Sequence, residues 1–126
     1  MDEREVRELF DRLLAAMDPA KEFEARHEDF TAEFPQSGER MNRDGLRSMQ
    51  EAYPGGAPII RLCRLVGAGD VWIAETAGRY GDGSVWHGVD IVEFRDGKIW
   101  KETRYYAEPF EAPGWRAQWV ERTGGT

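Results

Sequence analysis

The sequence predicts an α+β domain in which a curved sheet wraps around helices, and two observations carry the prediction. Apolar residues recur at helical spacing through the N-terminal part, and from Ala57 onward the period drops to two, in strand-like runs separated by short Gly- and Asp-rich turns. Elements in the order helix, helix, strand, helix, then four strands are those of a segregated α+β fold. At 126 residues the chain can bury one core but not two, so a single domain is expected over 1–126, with 110–126 as a C-terminal extension.

The first helix follows from Val6, Leu9, Phe10, Leu13, Leu14 and Met17, which fall on one face, with Asp2 placed to cap the start and Glu5 three residues later. Asp18-Pro19 then opens a second helix, expected to run to about His27. Phe30 to Phe34 alternates as a short strand ended by Pro35, and QSGERMN reads as a polar loop or strand extension. Asn42 and Asp44 offer caps for a third helix carrying Leu46, Met49, Gln50 and Tyr53, which Pro54-Gly55-Gly56 stops. The strand runs are Pro58 to Val66, Val71 to Tyr80, Ser84 to Phe94 and Ile99 to Tyr106. Their connections are short enough for hairpins, and Asp96-Gly97 is the strongest such signal because Gly accepts the positive φ that tight turns need. Four hairpin-linked strands make an antiparallel meander. The chain then turns irregular and closes on WRAQWVER, expected to be a short helix whose Trp115 and Trp119 pack over the mouth of the fold or against a partner subunit.

Composition narrows the function. With 24 acidic against 17 basic side chains the net charge is −7, which disfavours binding to phosphate backbones, so no nucleic-acid partner is expected. No stretch approaches the ~20 apolar residues of a membrane span, and the charged start MDEREVRELF has no secretory core; a cytoplasmic location is the expectation. Cys63 is the lone cysteine and reads as a small buried hydrophobe, while His27 and His87 lack metal-pair spacing, so neither a metal nor a cofactor is expected.

The chemistry concentrates in SVWHGVDIVEFRDGKIWKETRYY, Ser84 to Tyr106. Alternation puts Trp86, Gly88, Asp90, Val92 and Phe94 on one strand face and His87, Val89, Ile91 and Glu93 on the other. Asp90 thus stands in an apolar row, lining a pocket or lying on a wet sheet face. His87 faces away from it, which rules out a His-Asp pair within the strand unless a bulge shifts the register.

The helix junction AAMDPAKEF, the stretch FPQSGER at Phe34 to Arg40, and DIVEFRDGKI followed by ETRYYAEPF resemble the nuclear transport factor 2-like superfamily, and within it the SnoaL-like proteins often called polyketide cyclases. The resemblance spans Arg4 to about Pro109 and implies a cone of α+β architecture, N-terminal helices packed in a curved mixed or antiparallel sheet. It leaves the reaction open, since the superfamily holds isomerases, hydrolases, dehydratases and pure binding modules. By resemblance to ketosteroid isomerase, Asp90 takes the place of a buried, protonated Asp that donates to a substrate oxyanion. Two other isomerase positions differ, the base being replaced by Phe34 before Pro35 and a helix-one Tyr by Phe10, so steroid isomerisation is not expected. The same resemblance puts Glu102 and Tyr106 in the pocket.

Asp90, Glu102, Arg104 and Tyr106 are therefore the candidate catalytic set, in which one carboxyl holds a proton while the other stays ionised. The set is similar to the Asp-Arg-Asp arrangement of limonene-epoxide hydrolase, with the Arg on the other strand. The competing reading is an ion-pair ladder on a sheet surface, worth only ~0.2–1 kcal/mol. Phe10, Phe34, Tyr53, Trp86 and Trp100 are the expected substrate-binding wall, with Trp72 a further aromatic candidate. The expected partner is a small hydrophobic, oxygenated molecule, and the resemblance implies a homodimer through the outer sheet face. A ligand-binding or dimerisation module without catalysis, and an epoxide hydrolase, are the alternatives.

Overall fold

The computed structural model describes residues 1–123, and the last three residues of the expected C-terminal extension lie outside them. Three helices, α1 (Glu3–Ala16), α2 (Pro19–Ala25) and α3 (Arg43–Glu51), combine with six strands, β1 (Arg26–Phe34), β2 (Glu39–Asn42), β3 (Ile59–Ala68), β4 (Val71–Arg79), β5 (Val85–Arg95) and β6 (Lys98–Ala107). The strands form one curved, unclosed sheet in the order β2-β1-β6-β5-β4-β3. β3 to β6 are the expected meander; the β1–β6 pair is parallel and makes the sheet mixed. A 3₁₀ helix, Gly114–Trp119, follows.

The helix starts follow the capping signals. Asp2 accepts from the Glu5 amide at 2.9 Å, Asp18 from Ala20 at 3.0 Å and Asn42 from Gly45 at 2.8 Å, each satisfying a donor that the first helical turn leaves free. The concave sheet face receives α1 through Val6, Leu9, Phe10 and Leu13, packed with Phe30, Ala32, Leu46, Leu65, Trp72, Ala74, Val92, Phe94 and Ile99. Trp72 belongs to this core and donates its indole N–H to the Gly69 carbonyl at 2.9 Å. Gly67 is required where two strands close up, because a Cβ there would stand 2.4 Å from the Val71 carbonyl oxygen.

Several sequence expectations shift. The second helix ends at Ala25, and Arg26 and His27 begin β1. QSGERMN supplies a turn and the edge strand β2. Cys63 is exposed and not a buried hydrophobe, because it shares the outward parity of Ile59 and Arg61; the β3–β4 register then slips between Leu62 and Arg64, which turns Leu65 inward in place of Arg64. A second bulge separates Phe94↔Ile99 from Glu93↔Lys101 and leaves Trp100 unpaired. Trp100 consequently lies against Arg95 and Lys101, its ring centroid 5.2 Å and 4.3 Å from their charged groups. Trp115 and Trp119 are exposed and do not pack over the mouth of their own chain.

Candidate active site

Helices and sheet enclose a cavity of about 870 Å³, within the range of small-molecule sites. Phe10, Leu13 and Met17 of α1 form one wall, Met49, Gln50 and Tyr53 another, and Ala74, Thr76, Asp90, Glu102, Arg104 and Tyr106 the sheet side. Tyr80, Asp82, Ser84 and Glu108 reach it from the strand ends. Of the expected aromatic wall, Phe10, Phe34, Tyr53 and Trp86 line this cavity and Trp100 does not, because the bulge at Trp100 breaks the alternation that would have put it beside Glu102.

Asp90, Glu102, Arg104 and Tyr106 come together as the register dictates. Arg104 lies directly opposite Asp90, Tyr106 opposite Gly88 and Glu102 opposite Val92. Gly88 makes room for this, since a Cβ there would sit 2.7 Å from Thr76 Oγ1 and 3.1 Å from the Tyr106 ring. Arg104 donates through Nε to Glu102 Oε2 at 2.8 Å and through Nη2 to the same oxygen, which leaves Oε1 free of that pair. Its Nε lies 3.8 Å from Asp90 Oδ2, and its Nη1 reaches the Tyr106 hydroxyl at 3.5 Å. The guanidinium also lies 5.9 Å over the Phe34 ring, which stacks on Tyr106 at 6.4 Å. Side-chain exposure is 4% for Glu102, 12% for Arg104 and 18% for Asp90, so this is a desolvated cluster and not a surface ladder.

Burial sets the protonation states. Removal from water pushes the Asp90 carboxyl well above the usual carboxylate range, and the neighbouring Glu102 pushes it further, against the pull of Arg104 and Arg26. Asp90 Oδ1 has no donor among the protein groups around it. A hydrogen bond with the Glu102 side chain acts in the same direction as burial, favouring the protonated form of Asp90. Burial alone would lower the Arg104 pKa, but Glu102, Tyr106 and Asp90 together hold it well above the ordinary guanidinium value. The Tyr106 phenol is raised, chiefly by burial, and so keeps its proton. A neutral acid, a carboxylate fixed by a guanidinium and a phenol therefore face one apolar chamber.

A second polar cluster, absent from the expected set, completes the cavity. Arg26, Glu22 and Gln50 line the wall built by α2, β1 and α3. Arg26 Nη1 donates to Gln50 Oε1 at 3.4 Å, and Nη2 stands 3.9 Å from Glu22 Oε1. Burial raises the Glu22 pKa against the pull of Arg26, and burial lowers that of Arg26. Alternation gave no signal for Arg26, because the β1 register shifts between Arg26 and Thr31 and Glu28, which shares its parity, is exposed.

Elsewhere, His27 Nε2 meets Asp96 Oδ2 at 3.3 Å and His87 is exposed on the convex face. Arg40 pairs with Glu33 at 3.0 Å, while Glu39 lies on the edge strand. Among the described residues no group of three or more His, Cys, Asp or Glu is disposed to hold a metal, and no helix is long and apolar enough to cross a membrane.

Fold and cavity define a nuclear transport factor 2-like α+β cone. A family model for the SnoaL-like domain matches residues 6–102, and the chain belongs to that family. It is similar to an NTF-2 like protein of unknown function from Burkholderia xenovorans LB400, at 38% identity and TM-score 0.80, over 97% of this chain and 98% of that one. It is also similar to a proposed ketosteroid isomerase from Kribbella flavida DSM 17836, at 27% identity and TM-score 0.82, over 95% and 87% of the two chains. An NTF2-like protein of unknown function from Mesorhizobium loti shares the fold at 24% identity and TM-score 0.68, over 85% and 96%. No curated protein matches the chain.

Proposed function

We propose that this is a cytoplasmic, cofactor-free catalyst of proton transfer on a small hydrophobic, oxygenated molecule, working as an isomerase, cyclase or dehydratase. The observation that carries the reading is the raised, buried Asp90 carboxyl beside the Arg104-held Glu102 in a chamber of this size. A carboxyl held protonated by burial beside a carboxylate paired with a guanidinium supplies an acid and a base. With a ketone bound, Glu102 Oε1 takes a proton from the carbon next to the carbonyl, the C–H electrons form the C=C bond, and the carbonyl oxygen receives the Asp90 proton. Return of a proton at the same or another carbon restores both groups. Arg104 orients Glu102, and Tyr106 offers its O–H to the substrate oxygen. Similarity to the Kribbella protein supports the isomerase direction.

The test is hydrogen–deuterium exchange of 2-tetralone in D2O, followed by NMR. Exchange above a buffer and bovine serum albumin baseline, abolished in Asp90→Asn and Glu102→Gln with the fold retained, is expected. Exchange unchanged by both substitutions would sink the assignment. One observation favours a second reading: Arg104 lies between two carboxyl groups, as water activation and epoxide protonation would require. Diol formation from styrene oxide without tetralone exchange would select it.

We also read the convex sheet face as the contact of a homodimer. Val66, Ile73 and Ile91 occupy one cross-strand row and Val89 and Tyr105 the next, and Val66, Ile73, Val89 and Tyr105 are exposed large apolar side chains. Light scattering after gel filtration is expected to give twice the chain mass for the native protein and the chain mass for Ile73→Glu. A monomeric native chain would remove this reading and leave the cavity chemistry intact.

A further inference from the structure

The two arginines of the cavity differ in how far the protein satisfies them. Arg104 is bound by Glu102 through two nitrogens and by Tyr106 through a third. Arg26 is more deeply buried, at 2% exposure, yet among the described residues its only side-chain hydrogen bond is the 3.4 Å contact with Gln50. Glu22 stands off at 3.9 Å, Nε has no partner, and the flat face of the group covers the Phe30 ring at 5.2 Å. A guanidinium carries five N–H donors in a rigid fork, and leaving them unpaired in a desolvated place is costly. The same residue lines the cavity, with Phe10, Leu13, Met17, Met49 and Tyr53 among its apolar neighbours there.

We propose that Arg26, with Gln50 and Glu22 behind it, is an anion-binding subsite that takes the carboxylate of an amphipathic aromatic or alicyclic acid. A carboxylate presents two coplanar acceptors that match a pair of N–H donors on one edge of a guanidinium. A phosphate monoester carries up to two charges, for which this wall offers a single cation. The hydrophobic body of the acid then fills the space toward α1 and Tyr53, and the reacting end is carried to the sheet side. Arg26 and Asp90 share one chamber closely enough for the charge of Arg26 to act on Asp90. Glu22 competes with the ligand for Arg26 and is the natural brake on affinity. The inference rests on the reading of the cavity as a ligand pocket and narrows the substrate to acids.

Calorimetric titration of the full chain with 2-naphthoate and with the isosteric, uncharged 2-naphthamide tests it. Naphthoate is expected to bind at least about tenfold more tightly than the amide, a preference that Arg26→Met abolishes and Arg26→Lys, lacking the fork, reduces severalfold. Glu22→Gln keeps the size and the Gln50 contact while removing the competing carboxyl, and is expected to strengthen naphthoate binding severalfold with the amide unchanged. Circular dichroism and thermal melting establish that each variant is folded, and Glu22→Gln carries the test if Arg26→Met does not fold. Equal binding of the two probes to the native chain, or the preference surviving in Arg26→Met, overturns the subsite while leaving the pocket. Binding of neither probe overturns the pocket reading together with it.

Discussion

The two faces of the same sheet carry the same kinds of ion pair and differ in how water reaches them. On the convex face Arg64 meets Glu75 at 3.8 Å with the side chains 69% and 46% exposed. On the concave face Arg104 meets Glu102 with exposures of 12% and 4%. Sequence periodicity cannot separate these cases, since each is an Arg–Glu contact made on a strand. The three-dimensional difference is decisive, because an exposed pair is screened and nearly neutral in energy, whereas a desolvated one is costly to form and costlier to break. Such a pair is weak evidence of stabilisation. Its place beside a raised carboxyl in an 870 Å³ chamber is better explained by chemistry than by folding.

The largest expected effect follows from removing the central cation on the concave side. Arg104→Met leaves Glu102 and Asp90 in a low-dielectric place without their guanidinium, and is expected to cost about 3–5 kcal/mol of folding stability. Arg64→Met on the convex face is expected to change stability by less than about 1 kcal/mol. Urea unfolding of the two variants beside the native chain measures both. Comparable losses at the two sites would show that the concave pair is as well hydrated as the convex one, and the argument for a desolvated acid–base pair would fall.

Much of this contrast was legible in advance and some was not. Caps at Asp2, Asp18 and Asn42, the change of period after Ala57 and the Asp96-Gly97 turn are local signals, and each produced its element. The juxtaposition of Asp90 with Arg104 and of Gly88 with Tyr106 follows from the hairpin, because turn position fixes register. What escaped was set by bulges and by contacts distant in sequence. Trp100 left its expected face because one extra residue reverses the alternation from that point on. Arg26 and Gln50 met only once α3 had folded against β1, and no spacing in the chain announces that meeting. The exposure of Trp115 and Trp119 has no counterpart within the chain, and nothing in their sequence pattern distinguished a lid from a free segment.

A smaller effect sharpens the contrast through pH. Asp90 has its pKa raised in the folded state by burial and by Glu102, while the unfolded chain returns it to about 3.9. Between the unfolded value and the higher folded one, the folded protein holds a proton that the unfolded chain has released. Its stability therefore falls as pH rises through that window, by at most about 1.4 kcal/mol per pH unit, and the contribution is fully present only below the unfolded value. Asp90→Asn cannot ionise and keeps an N–H donor for Glu102, so its stability is expected to gain on the native chain as pH rises from about 4. Glu22, also raised by burial, adds a slope of the same sign to both proteins and leaves the difference between them to Asp90. Urea unfolding at intervals between about pH 4 and 8 gives that difference directly. Parallel profiles for the two proteins would mean that Asp90 is ionised throughout, as a convex-face carboxylate is, and would take the general acid out of the proposed mechanism.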